Sequence, residues 1–151
     1  MNEAYEHKLA DLRREIETEG ARPAVIDAAV SELWADGGQH LARDLLSLLS
    51  DSAAHDEGMF SLIHAAESFD DAAYVRALLS AFPNLALSAP RWASIVLMRV
   101  LNSGSAQSEM VRQLRDAPSS VKESVREMCG RINEVSPQFL SKTVPVTVAA
   151  S

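Results

Sequence analysis

Residues 56–71 have the sequence DEGMFSLIHAAESFDD, the stretch that best indicates how this chain folds. Met59, Phe60, Ile63 and Ala66 recur every three or four residues, which is the spacing of one face of an α-helix. The stretch also carries five carboxylates and no lysine or arginine. Because an apolar stripe needs a core behind it and unopposed acids face water or a cationic partner, we expect a helix with one buried and one exposed face.

The composition of the chain is typical of a helical protein with a substantial core. Hydrophobic residues make up 47% of the 151 residues, which argues against global disorder. Aromatic residues make up only 5%, and alanine, leucine and serine are abundant. This composition favours close-packed helices over strands, which prefer β-branched and aromatic residues.

The helical pattern recurs along the chain between glycine and proline breaks. It predicts eight helices, at about 3–19, 22–36, 39–50, 56–69, 71–82, 90–102, 105–116 and 118–133. Asp70 is the predicted N-cap of the fifth helix and Pro83 closes it, with one short helical turn expected over 84–88. The sixth helix is apolar nearly all round, so it is the predicted central helix.

Short connections between helices favour antiparallel neighbours. The sequence therefore predicts an all-α fold of about eight antiparallel helices, either a HEAT-like stack of helical hairpins or an irregular bundle. Residues 1–135 form the predicted single domain. Residues 144–151 carry no helix signal, and residues 136–151 are predicted to be a flexible C-terminal tail, with a short strand or a loop packed on the core as the alternative for the ending.

The charge of the chain is unevenly distributed. Residues 36–71 contain eight acids and Arg43 as their single base, so their net charge of −7 equals that of the whole chain. Residues 72–151 carry an excess of bases. A negative field of this kind repels nucleic acid and anionic membranes and speeds encounter with a basic protein. A solvated face that only aids solubility is the alternative interpretation.

Other features indicate a cytoplasmic protein. Cys129 is the single cysteine, so no internal disulfide can form, and this suits a reducing compartment. The polar, acidic N-terminus has no signal-peptide core. The longest apolar run, at 95–98, is far too short to span a membrane.

The sequence contains no motif typical of an enzyme or a metal site. His64 lies three residues before Glu67, a spacing that helical metal sites use, but no second pair of this kind is present. Cys129 has no histidine at a useful spacing, so core packing is expected rather than a reactive thiolate. The neighbouring acids Asp70 and Asp71 suggest helix capping more than acid–base chemistry. We therefore predict no enzymatic activity, no cofactor and no metal.

Three large side chains have both a structural and a functional interpretation. Arg99 is a charge within the apolar sixth helix and should meet a carboxylate, since an unpaired buried guanidinium is costly. The candidate partners are Glu57, Glu67 and Asp70. Arg99 either forms such an internal salt bridge or reaches a binding groove. Trp34 and Trp92 are expected in the core, although either could anchor a partner.

Several of these segments together resemble the immunity protein 30 family. They are residues 58–69 (GMFSLIHAAESF), 89–93 (APRWA) and 99–103 (RVLNS), with Tyr74 and Pro83 between them. The family pattern combines W-S-L-I-H-x-x-E with P-x-W-A and R-x-L-N-S, and Phe60 replaces its tryptophan here. The resemblance covers about residues 56–133 and leaves the N-terminal third without a recognised pattern.

The resemblance implies a protein that inhibits a toxin. Immunity proteins of bacterial polymorphic toxin systems, including contact-dependent growth inhibition, bind the toxic C-terminal domain of a cognate effector. Such toxins are commonly nucleases with basic surfaces, which an acidic helical protein can cover. The candidate partner-binding residues are Asp51, Asp56, Glu57, His64, Glu67, Asp70 and Asp71. A helical-repeat adaptor that binds a peptide or helix in an apolar groove, and an enzyme with an unrecognised site, are the alternatives.

Overall fold

The computed structural model describes residues 3–36, 38 and 40–151, apart from the side chain of Asp36. Within these residues the chain forms α-helices, one 3-10 helix and no strand, which confirms the all-α fold. The helices are α1 (Glu3–Glu19), α2 (Pro23–Asp36), α3 (Leu41–Ser47), α4 (Asp56–Glu67), α5 (Asp71–Ser88), α6 (Pro90–Leu101), α7 (Gly104–Leu114), α8 (Ser119–Val135), the 3-10 helix (Pro137–Phe139) and α9 (Leu140–Ala149).

Helix contacts progress through the molecule roughly in chain order. The main neighbour of α1 is α2, which lies against α4, while α3 packs on both α4 and α5. At the other end α9 packs on α7 and α8. The central helix is α5, which contacts α3, α6, α7 and α8 and buries side chains along its whole length. The sixth helix was the predicted centre and is a neighbour of α5 instead.

Pro83 lies inside α5 and does not end it. The proline removes one intrahelical hydrogen bond, which is why the sequence predicted a break. However, Phe82 and Leu85 on either side of it are buried in the core, and this packing stabilises a continuous helix. The separate turn expected over 84–88 is therefore the last part of α5.

The C-terminal segment is helical through Ala149, although residues 144–151 carry no helix signal in the sequence. Val146 and Ala150 are fully buried and belong to the same core as the other helices. The hydroxyl of Thr143 donates to Oδ1 of Asn133 at 2.7 Å, which ties α9 to α8. Valines and Pro145 make α9 a poor helix by local propensity, so its tertiary contacts stabilise it.

A close approach at Gly58 brings the start of α4 against the connection that leads into α2. A Cβ atom at Gly58 would be 2.1 Å from the carbonyl oxygen of Ala21, so only glycine allows this contact. At the opposite ends of the two helices, the rings of Trp34 and Phe69 lie 5.1 Å apart. The two contacts show that α2 and α4 run parallel.

The burial of the large side chains was predicted correctly from the sequence in some cases and wrongly in others. Trp92 is fully buried and so is Cys129, where burial raises the pKa of the thiol to about 11. Trp34 is 46% exposed, and the prediction that it lies in the core is wrong. The predicted helix boundaries at Gly37 and Gln39 lie outside the described residues. None of the described helices has the length and apolarity that crossing a bilayer requires.

Candidate functional site

Asp51 caps the N-terminus of a helix that begins about 40 residues further along the chain. Its carboxylate oxygens accept from the backbone N–H groups of Arg91 at 3.0 Å and Trp92 at 3.1 Å. The residue that precedes α6, Ala89, has no side chain that could do this. Asp51 therefore caps α6 from the loop between α3 and α4.

Asp56, in the first turn of α4, pairs with Arg91 in the first turn of α6. The guanidinium donates to both carboxylate oxygens, at 3.0 and 3.3 Å, and each side chain is 52% exposed. The guanidinium carbon also lies 4.9 Å from the centre of the Trp92 ring. The hydrogen bond from Arg91 lowers the pKa of Asp56 below its ordinary value.

Glu67, at the end of α4, pairs with Arg99 near the end of α6. The contact is bidentate, with N–O distances of 2.7 and 2.8 Å, and both side chains are partly buried. This confirms the predicted internal salt bridge of Arg99 and selects Glu67 from its three candidate partners. The hydrogen bond to Glu67 raises the pKa of Arg99, which keeps the guanidinium charged.

Phe60 fills the space between these two salt bridges. Its ring meets that of Trp92 edge to face at 5.1 Å, and the guanidinium carbon of Arg99 lies 6.0 Å from its centre. Residues 56, 60 and 67 share one face of α4 because a helix turns by about 100° per residue. The pairing of N-terminus with N-terminus and C-terminus with C-terminus shows that α4 and α6 run parallel.

Asp70 is the N-cap of α5, as predicted from the sequence. Its side chain accepts from the backbone N–H of Ala73 at 2.8 Å. Together with Asp51, Asp56 and Glu67, this makes four candidate acids that already have partners inside the protein.

The remaining candidates face solvent. Glu57 and His64 lie seven residues apart on the outer face of α4, and Asp71 is exposed in the first turn of α5. Within the described part of the chain, neither Glu57 nor Asp71 has an ion-pair partner. The ring of His64 lies 6.2 Å from that of Phe60. No three histidine, cysteine or acidic side chains of the described residues are grouped closely enough to hold a metal ion.

A small cavity of about 130 Å³ lies beside the Glu67–Arg99 pair. Asp71, Tyr74 and Ser103 line it together with that pair. Tyr74 is only 4% exposed, and among the described residues its hydroxyl has no hydrogen-bond partner. Burial, followed by the charge of Glu67, raises the pKa of Tyr74. The cavity thus brings a polar group without a partner next to two of the predicted site acids.

The sequence did not identify the roles of Arg91 and Tyr74. Arg91 stands in the first turn of a predicted helix, where the local pattern contains no information about a carboxylate on α4. Tyr74 follows the apolar stripe of α5 and so is typical of a core residue. The exposure of Trp34 beside the half-buried Phe69 was missed for a similar reason, because helical spacing alone does not show which stripe stays uncovered.

Comparison with known proteins identifies one family. The family model described as immunity protein 30 matches residues 12–110, well over half of the chain. The match includes the residues that join α4 to α6, extends into the N-terminal third where the sequence showed no recognised pattern, and ends before α8. No curated protein and no solved structure matches the chain. On the extent of the family match, this chain belongs to the immunity protein 30 family.

Proposed function

We propose that this protein neutralises the toxic C-terminal domain of a cognate polymorphic toxin, of the contact-dependent inhibition type, by binding it through an acidic surface. Membership of the immunity protein 30 family supports a toxin as the partner. The observation that carries the choice of surface is the exposure of Glu57 and Asp71, which lack ion-pair partners among the described residues. These two acids can pair with lysine or arginine of a toxin at no cost to the fold.

The other candidate acids contribute in a different way. Asp56 and Glu67 are partly exposed, so their salt bridges to α6 leave some carboxylate surface open. Asp51 and Asp70 are also exposed, but their oxygens serve as helix caps. His64 extends the acidic face of α4 as a hydrogen-bonding residue. We propose that all seven candidates belong to one surface, with Glu57, His64 and Asp71 as its direct contacts.

We infer that the toxin is a nuclease that acts in the cytoplasm. The 36–71 segment has a net charge of −7, and a field of this sign suits a surface built to hold phosphates. The same field disfavours nucleic acid and anionic membranes as partners. Binding one toxin molecule requires no catalytic group and no cofactor, so the protein acts stoichiometrically and not as an enzyme.

Association kinetics test the proposed surface directly. A candidate toxin domain is co-expressed and purified with this protein, and the association rate is measured by stopped flow at increasing salt. We expect the rate to fall by roughly tenfold or more between low and physiological ionic strength, because steering is electrostatic. The double variant Glu57→Gln, Asp71→Asn should associate more slowly at low salt and lose part of this salt dependence.

Glu123→Gln on α8 is the matched control, since Glu123 is also exposed but lies outside the proposed surface. It should associate at the wild-type rate. An association rate that ignores salt, or a double variant that protects cells as well as the wild type, would contradict the acidic surface.

A helical adaptor is the second candidate function, and an apolar groove between α6 and α8 favours it. The groove measures about 280 Å³ and includes Met98, Met128, Ile132 and Val135, with Val135 84% exposed. Such a groove accepts an amphipathic helix. If Val135→Ser abolishes capture of the toxin domain while the Glu57→Gln, Asp71→Asn variant binds normally, the groove is the binding surface and the acidic face is not.

A further inference from the structure

The cavity beside the Glu67–Arg99 pair has the chemistry of a lysine-binding site, and we propose that a lysine side chain of the toxin inserts into it. This inference rests on the proposed function, because it gives one anchor contact of that toxin complex. It concerns the cavity alone and adds a buried polar site to the exposed acidic surface.

The hydroxyl of Tyr74 lacks a hydrogen-bond partner among the described residues. Its side chain is almost fully buried, and no described residue accepts from or donates to the hydroxyl oxygen. Leaving a buried polar group without a partner costs stability, so native proteins rarely keep one without a reason. Tyr74 lines the cavity, so a ligand group inside it lies beside the residue whose hydroxyl lacks a partner.

The residues that line the cavity have an excess of negative charge. Glu67 and Asp71 are both acidic and Arg99 is the single base among the lining residues, so the cavity has a net negative charge. Arg99 occupies two lone-pair positions of Glu67, but a carboxylate accepts about four hydrogen bonds in total. Asp71 has no ion-pair partner among the described residues. The carboxylates of the cavity can therefore accept further hydrogen bonds from a ligand that carries donors.

A lysine ammonium matches this set of acceptors. It carries three donors, which can address Glu67, Asp71 and the Tyr74 hydroxyl oxygen. Val100 and Ala106 provide apolar walls for the alkyl stem. A guanidinium is broader and planar, so it suits a cavity of about 130 Å³ less well. A bound water could satisfy Tyr74 but supplies no positive charge to pair with Asp71.

An NMR titration tests the site without any toxin. The probe is Nα-acetyl-lysine N-methylamide, and the matched control is the norleucine analogue, which has the same stem without the charge. At constant ionic strength we expect saturable amide shifts at Asp71, Tyr74 and Ser103 with the lysine probe and none with the control. Shifts that do not saturate, or equal shifts with both probes, would overturn the proposal.

Tyr74→Phe separates a ligand-binding role from a structural one. The variant removes a hydroxyl that has no partner among the described residues, so the thermal midpoint should stay unchanged or rise, while affinity for the lysine probe should fall roughly fivefold. Tyr5→Phe is the matched control, because the Tyr5 hydroxyl donates to Oδ2 of Asp44 at 2.6 Å. That variant should melt earlier and bind the probe normally. A Tyr74→Phe variant that melts earlier yet binds the probe as tightly as wild type would refute the site.

The toxin complex then distinguishes failure of this inference from failure of the proposed function. If the lysine probe binds but no toxin domain co-purifies with the protein, the site stands and the proposed function is wrong. If a toxin domain binds tightly and Asp71→Asn and Tyr74→Phe leave its affinity unchanged, the immunity function stands and the lysine site is wrong.

Discussion

At the scale of single residues, Asp51 joins two segments that lie about 40 residues apart in the chain. Its two carboxylate oxygens each accept one backbone N–H from the first turn of α6. The negative charge also complements the positive end of that helix dipole. Since α6 carries Trp92 and Arg99, the position of one loop carboxylate determines how the candidate surface is assembled.

Replacing Asp51 by alanine should therefore lower stability. We expect a loss of about 1–2 kcal/mol in the free energy of unfolding, the usual effect of removing a helix cap. Asp51→Asn keeps one acceptor oxygen and should lose less. Chemical denaturation measures both, with Glu123→Ala as an exposed control expected to stay within about 0.5 kcal/mol of wild type. Equal stability of Asp51→Ala and wild type would show that α6 needs no cap.

At the scale of secondary-structure elements, α4 and α6 are linked by side chains. Two arginines of α6 reach two acids of α4, and Phe60 with Trp92 fills the space between them. Both salt bridges are partly exposed, so each stabilises the fold modestly and their main effect is to fix the register of the two helices.

Arg99→Met tests this linkage. Loss of the bidentate contact with Glu67 should lower the free energy of unfolding by about 1 kcal/mol. Arg14→Met is the control, because the pair of Arg14 with Asp11 is highly exposed and lies within one helix. It should have almost no effect. If Arg99→Met unfolds like wild type but no longer binds a partner, Arg99 acts in binding and not in packing.

The C-terminal helix α9 offers a matched pair of valines. Val146 is fully buried and Val148 is 69% exposed, two residues away on the same helix. Val146→Ala should lower the free energy of unfolding by about 2 kcal/mol, while Val148→Ala should change it little. Thermal melts of the two variants measure this difference. Identical melts would mean that α9 does not contribute to the core.

At the scale of the whole molecule, the ion pairs make stability depend on pH. The hydrogen bonds from Arg112 and Gln113 lower the pKa of Glu109 from 4.5 to about 2. Asp56 and Glu15 shift in the same direction, through Arg91 and Arg22. A carboxyl with a lowered folded-state pKa stabilises the protein above its ordinary pKa, and this contribution is lost as the pH falls towards the folded value.

The thermal midpoint should therefore fall as the pH is lowered from about 4.5 towards 2. Glu109→Gln should melt earlier than wild type at neutral pH and show a shallower decline over this range. Glu123→Gln, which changes an exposed acid on α8, should follow the wild-type curve. Parallel curves for Glu109→Gln and wild type would contradict the role of this ion pair.

The sequence by itself determined the features that depend on neighbours along the chain. Apolar spacing located α1, α4 and α6 closely, and Asp70 was recognised as a cap because the backbone N–H that donates to it lies three residues further along the chain. The Arg99 salt bridge was predicted because a charged residue within an apolar helix needs a partner of opposite charge. The family was also recognised from local motifs, and the family match confirms it.

The tertiary structure alone decided the features that depend on which helices meet. Asp51 caps α6, the Tyr74 hydroxyl has no partner among the described residues, Trp34 stays exposed, and α9 is helical despite its poor local propensity. Some of these features depend on a contact between residues far apart in the chain. Others arise because no helix of the described residues covers the side chain. Local patterns carry no information about such contacts, since packing of the whole core determines them.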